Sequence, residues 1–355
     1  MENNKLDFSS QNFYVGIDVH KKSWSVGIIC NNNLLKRFSM DPEPKQLSEY
    51  MHKNYPGGNY FSVYEAGFSG YWIDRALKEG RINNIIVNPA DIPTKNKERV
   101  SKTDKIDARK LARELSNQQL EGIYIPGQLQ EELRSLSRLR NQLVRDQTRV
   151  KNQIKSMLLY YGKRIPEDFE KKGWSKRFIQ YIEGFNFTTI AGADCLKLNI
   201  ERFHRDHDML KEVLRKIKDN LRDYGFENLV DKLKSIPGIS FITAIALVTE
   251  IMDINRFKRL DELCSYVGLV PSMRDSGETE KTMGLCRRQS KYLRNVLIES
   301  SWAAMKADPA LTMSFNQLIK RMPRQKAIIK IAKKLLNRIR YVWMNDQVYQ
   351  KAVVA

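Results

Sequence analysis

Four carboxylates stand at positions where chemistry would need them. Asp18 closes the apolar run Phe13–Asp18 (FYVGID), and Glu65 follows Tyr60–Tyr64 (YFSVY), just before Ala66-Gly67. Asp104 and Asp107 lie three apart in a stretch with helical spacing, so they share a face. An acid at the end of a buried strand is costly unless something pairs with it. Several acids at one sheet edge also repel one another, and a hard divalent cation relieves both penalties. Two Mg²⁺ ions held this way would stabilise the attacking and leaving oxygens in phosphodiester cleavage. Each acid alone has a plainer reading. Asp18 can be a turn residue, Glu65 the partner of a nearby Lys, and Asp104 and Asp107 acids favoured at a helix N-terminus.

Cations accompany the acids. Lys95, Lys97, Arg99, Lys102 and Lys105 lead into the second pair, a run suited to holding phosphates beside the metals or, more plainly, a solvated loop. A second centre sits near the C-terminus. Pro271 to Gly284 is rich in Gly, Ser, Pro and charge and reads as a loop, with Ser276 just before Gly277. Serine attack on DNA needs an accessible hydroxyl and nearby cations for the pentacovalent phosphate. A serine before glycine is more often only a turn. His204 and His207, three apart, lack the further Cys or His of a zinc site and read as surface residues. Tyr341 and Trp343 read as packing rather than base stacking.

The elements that must position these groups follow from periodicity. Phe13–Asp18, Ser23–Cys30 and Leu34–Met40 read as a three-strand meander, followed by a helix over Pro44–Lys53. A strand at Tyr60–Tyr64, a helix at Trp72–Lys78, a short strand at Ile85–Val87 and a helix at Thr103–Leu115 come next. Glu131–Tyr160 and Asp206–Tyr224 carry apolar residues at heptad-like spacing, with a less regular stretch from Gly162 to Arg202 between them. They suggest an antiparallel helical hairpin, or equally an ordinary bundle. The chain from Val230 reads as mainly helical.

With 355 residues, two or three domains are expected. The 61 Lys and Arg against 41 Asp and Glu leave +20, which favours a polyanionic partner. Between Cys286 and Arg340, 14 Lys or Arg face 2 Asp or Glu, so more than half of that excess is local. Cys30, Cys195, Cys264 and Cys286 form no CxxC pair; a disulfide framework is excluded and free thiols in a cytoplasmic protein are expected. No apolar run reaches membrane-spanning length, so no membrane partner is expected.

Beside these readings stands a resemblance. Residues 14–31 (YVGIDVHKKSWSVGIICN), 64–67 (YEAG) and 102–115 (KTDKIDARKLAREL) resemble the N-terminal region of the DEDD transposases, the recombinases of the insertion-sequence 110 family and its pilin-invertase relatives. Residues 235–297 are similar to that family's C-terminal transposase domain. The resemblance implies an α/β plus α chain in three parts. These are a ribonuclease H-like (RuvC-like) DEDD domain over 1–125, a helical coiled-coil spacer over 126–229 and a mainly helical serine domain over 230–355. It implies that Asp18, Glu65, Asp104 and Asp107 bind Mg²⁺, and that Ser276 attacks the DNA backbone, with Ser272 the second choice. It further implies a composite site shared between protomers, phosphate contacts from Arg287, Arg288, Lys291 and Arg294, and a dimer or tetramer. A bridge RNA that pairs with element and target DNA, and action at the nucleoid of a prokaryotic cell, are implied as well. Two positions depart from the family pattern: Ser240 and Gln289 stand where glycines are usual. The rival readings are a metal-dependent nuclease or junction resolvase without serine chemistry, and an inactive nucleic-acid-binding relative.

Overall fold

Alternating apolar residues make the N-terminal strands, and the computed structural model describes residues 7–93, 104–276, 279–285 and 290–350. Side chains are described for these except at 104–106, 170–172, 272–276 and 279–285. The chain forms two compact units, Met1–Ile125 and Pro126–Ala355.

In the first unit, β1 (Asn12–Val19), β2 (Trp24–Cys30) and β3 (Asn33–Met40) form an antiparallel meander. After α1 (Pro44–Asn54), β4 (Asn59–Glu65) pairs parallel to β1. After α2 (Trp72–Glu79), β5 (Asn83–Val87) pairs parallel to β4, and α3 (Asp104–Ser116) follows. The sheet order is β3-β2-β1-β4-β5, consistent with the expected ribonuclease H-like layout. Successive side chains point to opposite faces. Val15, Ile17, Val26, Ile28 and Tyr64 enter one core with Leu47 and Met51 of α1 and Ile73 and Leu77 of α2. On the other face Val63 and Val87 meet Leu111 of α3.

That second layer depends on a missing side chain. A Cβ on Gly16 would lie 2.0 Å from the Ala108 carbonyl oxygen and 2.4 Å from the Ala112 nitrogen. Its cross-strand partner is Gly27, where a Cβ would lie 3.2 Å from Arg109 Cα. The two glycines form a flat platform on which the α3 backbone rests. Gly16→Ala is expected to cost about 3 kcal/mol or more, the upper end for overpacking, because backbone rather than a flexible side chain must move. Urea denaturation of the full chain checks this.

In the second unit, α4 (Gln128–Tyr160) and α7 (Ile190–Asp223) are the long helices. The region read as irregular, Gly162 to Arg202, instead contains α5 (Glu167–Lys172), α6 (Lys176–Glu183) and the first turns of α7. Its apolar residues serve three packed pieces, so no single period shows in the sequence. Val150, Ile154 and Leu158 of α4 pack with Leu196, Ile200 and Phe203 of α7. Leu143, nearer the start of α4, shares a core with Val213, Ile217 and Leu221, nearer the end of α7. The two helices are therefore antiparallel.

The same core continues into α8 (Glu227–Lys234), α9 (Phe241–Ile251), α10 (Leu260–Tyr266), α11 (Lys291–Ala307), α12 (Pro309–Ile319) and α13 (Arg324–Met344). In α9 every residue from Thr243 to Ile251 is buried. The turn from α8 to α9 needs Gly238, which has φ +85° and lies where a Cβ would meet the Ser300 carbonyl at 2.5 Å. Pro271 to Gly284, read as a loop, is instead largely a two-stranded hairpin of β6 (Pro271–Ser276) and β7 (Thr279–Leu285). Trp343 packs against the core, but Tyr341 is 57% exposed; α13 buries Leu335, Leu336, Ile339 and Val342, and position 341 falls on the opposite side.

Asp308 caps α12 by accepting from the Leu311 amide (3.1 Å) and ion-pairs with Arg338 of α13. Burial opposes its ionisation, but the Arg338 guanidinium and the Leu311 amide outweigh it and hold the carboxyl below its ordinary value. A carboxyl depressed on folding contributes stability above its unfolded pKa and loses it as pH falls through the folded one. Asp308→Ala should therefore cost about 3 kcal/mol at neutral pH. The gap to wild type should close below about pH 4. Denaturation curves at neutral and acid pH measure both.

Candidate active site

Register and face fix where the acids sit. Tyr14 pairs with Phe61 and Gly16 with Val63 across the parallel β1–β4 ladder, whose last pair is Ile17 with Tyr64. Asp18 and Glu65 follow as neighbours at the two strand ends. Asp18 lies two residues beyond Gly16 and Glu65 two beyond Val63, so both point to the α3 face. The helix lies across this face: Ala108 and Arg109 rest on Gly16 and Gly27, and Leu111 joins Val63 and Val87, with Ile85 and Leu115 bordering that cluster. The first turn of α3, with Asp104 and Asp107, immediately precedes this contact with β1 and β2.

The side chains differ in setting. Asp18 is 23% exposed, and its Oδ2 lies 3.2 Å from His20 Nε2. Glu65 is exposed and Asp107 half-buried. For Asp104 only the backbone is described. Among the described residues no three His, Cys, Asp or Glu side chains come close enough together to hold a metal ion. Asp18 and Glu65 thus share a face and an edge, with Asp107 on the helix packed over that face and no closed ligand shell among the described side chains. Their donor chemistry, carboxylate oxygen throughout, suits a hard divalent cation. His20 was not singled out from the sequence; a histidine two residues past a strand-end acid was the available signal.

The remaining predicted residues divide. Lys95, Lys97, Arg99, Lys102, Arg287 and Arg288 lie outside the described residues, as does Gln289. Lys105 is on α3 and Ser272 on β6, with backbone alone described. Ser276 is the last residue of β6 and pairs with Thr279 in the hairpin register. Lys291 opens α11, whose N-cap Ser290 accepts from the Leu293 amide at 3.3 Å, and Arg294 lies one turn on. Lys291 is exposed and Arg294 half-buried. Ser240 caps α9, its Oγ accepting from the Thr243 amide at 3.1 Å. A hydroxyl chain continues from Ser240 to Thr243 (3.0 Å) and on to Ser300 of α11 (3.1 Å). Ser240 therefore ties the α8–α9 turn to α11.

Two family models match this chain. One, described as the transposase IS116/IS110/IS902 family, covers residues 230–315. The other, a DEDD-type IS110 transposase model, covers residues 15–162. The chain belongs to the IS110 family of transposases. A putative transposase of Sinorhizobium fredii is 30% identical over 68% of this chain and 58% of its own length. A second from that organism is 27% identical over 79% of this chain and 76% of its own. The transposase for insertion sequence element IS1533 of Leptospira borgpetersenii is 27% identical over 68% of this chain and 70% of its own. Against the first of these relatives the chain spans less than two-thirds of the relative's length. Transposases are DNA-cutting and rejoining enzymes, and the DEDD type implies divalent metal use in general. No described helix of this IS110-family chain is long and apolar enough to cross a membrane.

Repulsion among the acids gives a direct test. Saturating Mg²⁺ or Mn²⁺ should raise the melting temperature of wild type, because an ion that binds only the folded state stabilises it. In Asp18→Asn that rise should be largely lost, while the metal-free variant melts within a few degrees of metal-free wild type. An equal metal-induced rise in both proteins would remove Asp18 from the metal centre.

Proposed function

We propose that this chain is the recombinase of an insertion sequence, cutting and rejoining DNA through two centres. The supporting observation is that the two family-matched segments, residues 15–162 and 230–315, contain all four acids and Ser276 respectively. In this reading the chain works in three parts: a RuvC-like domain over 1–125, a helical spacer over 126–229 and a serine domain over 230–355. Asp18, Glu65, Asp104 and Asp107 would hold Mg²⁺, which would supply Lewis-acid stabilisation of charge on phosphodiester oxygens.

The Ser276 hydroxyl attacks a DNA phosphorus. A new phosphoserine bond forms, one deoxyribose–oxygen bond to phosphorus breaks, and the departing oxygen takes up a proton as the serine gives one up. Attack by the hydroxyl of another strand reverses these changes, rejoins DNA and frees the serine, with no external energy source. Lys95, Lys97, Arg99, Lys102 and Lys105 hold phosphates at the first centre. Arg287, Arg288, Lys291 and Arg294 do so at the second. The serine of one protomer works beside the acids of another in a dimer or tetramer, and a structured bridge RNA chooses the sites by base pairing. The protein grips backbone, which suits its +20 charge.

A covalent-trapping assay tests this reading. Protein and RNA from the element's own flank would be mixed with element-end and target DNA plus Mg²⁺, then resolved on a denaturing gel. A protein–DNA adduct is expected, absent in Ser276→Ala and in Asp104→Ala, with strand joining down at least ~10³-fold in each. Cleavage kept in Ser276→Ala but lost in Asp104→Ala would instead establish a plain metal nuclease.

A further inference from the structure

The long helices differ in charge. From Leu133 to Tyr161, α4 and its last turn carry seven Lys or Arg and one acid, Asp146. Over Ile190–Asp223, α7 carries eight Lys or Arg and seven acids. Three of its eight cations pair along the helix, Lys211 with Asp208 at 3.1 Å, Arg215 with Glu212 at 2.7 Å and Arg222 with Asp219 at 3.6 Å. The apolar stripe of α4 is already covered by α7 through Val150, Ile154 and Leu158. Arg145, Thr148, Arg149, Asn152, Ser156 and Tyr160 follow at helical spacing on an exposed stripe and, with Met157 and Tyr161, line a shallow groove of about 810 Å³. Fifteen residues of rise make this stripe ~22 Å long. Arg149 is paired with Asp146 at 2.8 Å, while Arg145 makes no ion pair among the described residues.

Arg145 also joins two surfaces. It lines a second cavity of about 320 Å³ with Asn141 of α4, Thr243 of α9, and Asn295 and Glu299 of α11. Glu299 is the carboxylate on that wall. Its α11 wall begins at Tyr292, beside Lys291, so Arg145 makes one path from the start of α11 onto the α4 groove.

We propose that this path is a track for the phosphodiester backbone of duplex DNA flanking the reacting strands. It rests on the recombinase reading, which requires DNA, and extends it to residues on α4 that the reading does not use. Charge chooses the occupant: exposed arginines spaced along one face suit a polyanion, with Thr148, Asn152 and Ser156 as neutral donors to phosphate oxygens.

The test is the salt dependence of binding by the full-length chain, measured by fluorescence anisotropy on a duplex and, separately, on a folded RNA. Arg145→Ala/Arg149→Ala should flatten the log–log salt slope on duplex by about 2, one for each lost phosphate contact. A fourfold rise in salt then weakens wild type about 15-fold more than the variant. Lys211→Ala/Arg215→Ala on α7 should leave the slope within error of wild type. Circular dichroism should show unchanged helicity in both, since all four side chains are exposed. A wild-type slope on duplex in Arg145→Ala/Arg149→Ala overturns the track but leaves the recombinase reading standing. A slope altered on RNA alone overturns duplex DNA as its occupant. Failure of wild type to bind either polymer overturns the track and the reading beneath it.

Discussion

The contact of α3 with β1 is the constraint on which the first centre depends. At Gly16 two backbones approach more closely than any side chain permits. The approach brings Leu111 onto Val63 and Val87, and that small apolar cluster fixes both the depth and the direction of the helix. The same contact places the turn that carries Asp104 and Asp107 on the face from which Asp18 and Glu65 emerge. The acids are thus gathered by backbone and apolar packing, which carry no charge, while their own repulsion works against the arrangement. His20 beside Asp18 supplies one polar partner within the protein.

The second unit solves a different problem, that of joining long helices to a bundle. A buried charge does part of this. Glu250 of α9 is 4% exposed and takes two hydrogen bonds from Arg138 of α4, at 2.7 and 2.8 Å. The Tyr266 hydroxyl donates to the Glu250 carbonyl at 2.7 Å, adding α10 to the same joint. A buried carboxylate is tolerated only with such a partner, so the pair sets the register of α4 against α9 more than it adds stability. Leu143 and Val213 belong to the same core as α9 and α13, so the base of the helical pair is continuous with the bundle. Ser240 makes a related joint, spending its hydroxyl on α9 and, through Thr243, on α11.

What could be read from the residues follows the strength of their periodicity. The meander, β4 and α3 were legible because one buried face per element imposes a clear alternation or helical stripe. The strand-end placement of Asp18 and Glu65 was legible for the same reason. The start of α7 was not, because Leu196, Ile200 and Phe203 pack among residues of α5, α6 and α4 and their stripe is interrupted by Gly192 and Asn199. The β6–β7 ribbon was hidden because its sequence, PSMRDS and TEKTMGL, has no apolar alternation to mark a buried face. Ribbon pairing there is a backbone property that composition does not report. The face shared by Asp18, Glu65 and α3 also required the register, since sequence gives strand ends but not which strands are neighbours.

Charge separates the two units as clearly as topology does. The first 125 residues hold 18 Lys or Arg against 15 Asp or Glu, whereas the remaining 230 hold 43 against 26. Nearly all of the +20 therefore belongs to Pro126–Ala355. A unit that gathers acids at a sheet edge cannot also be the main source of attraction for a polyanion, because its own carboxylates oppose the approach until a cation neutralises them. Long-range attraction must come from elsewhere in the chain, and the helical unit holds the surplus. Backbone attraction carries no sequence information and weakens with salt, while the acids act only over contact distance. In the proposed reading grip and chemistry would therefore answer to different variables, ionic strength for the one and divalent metal for the other, even though a single chain carries both.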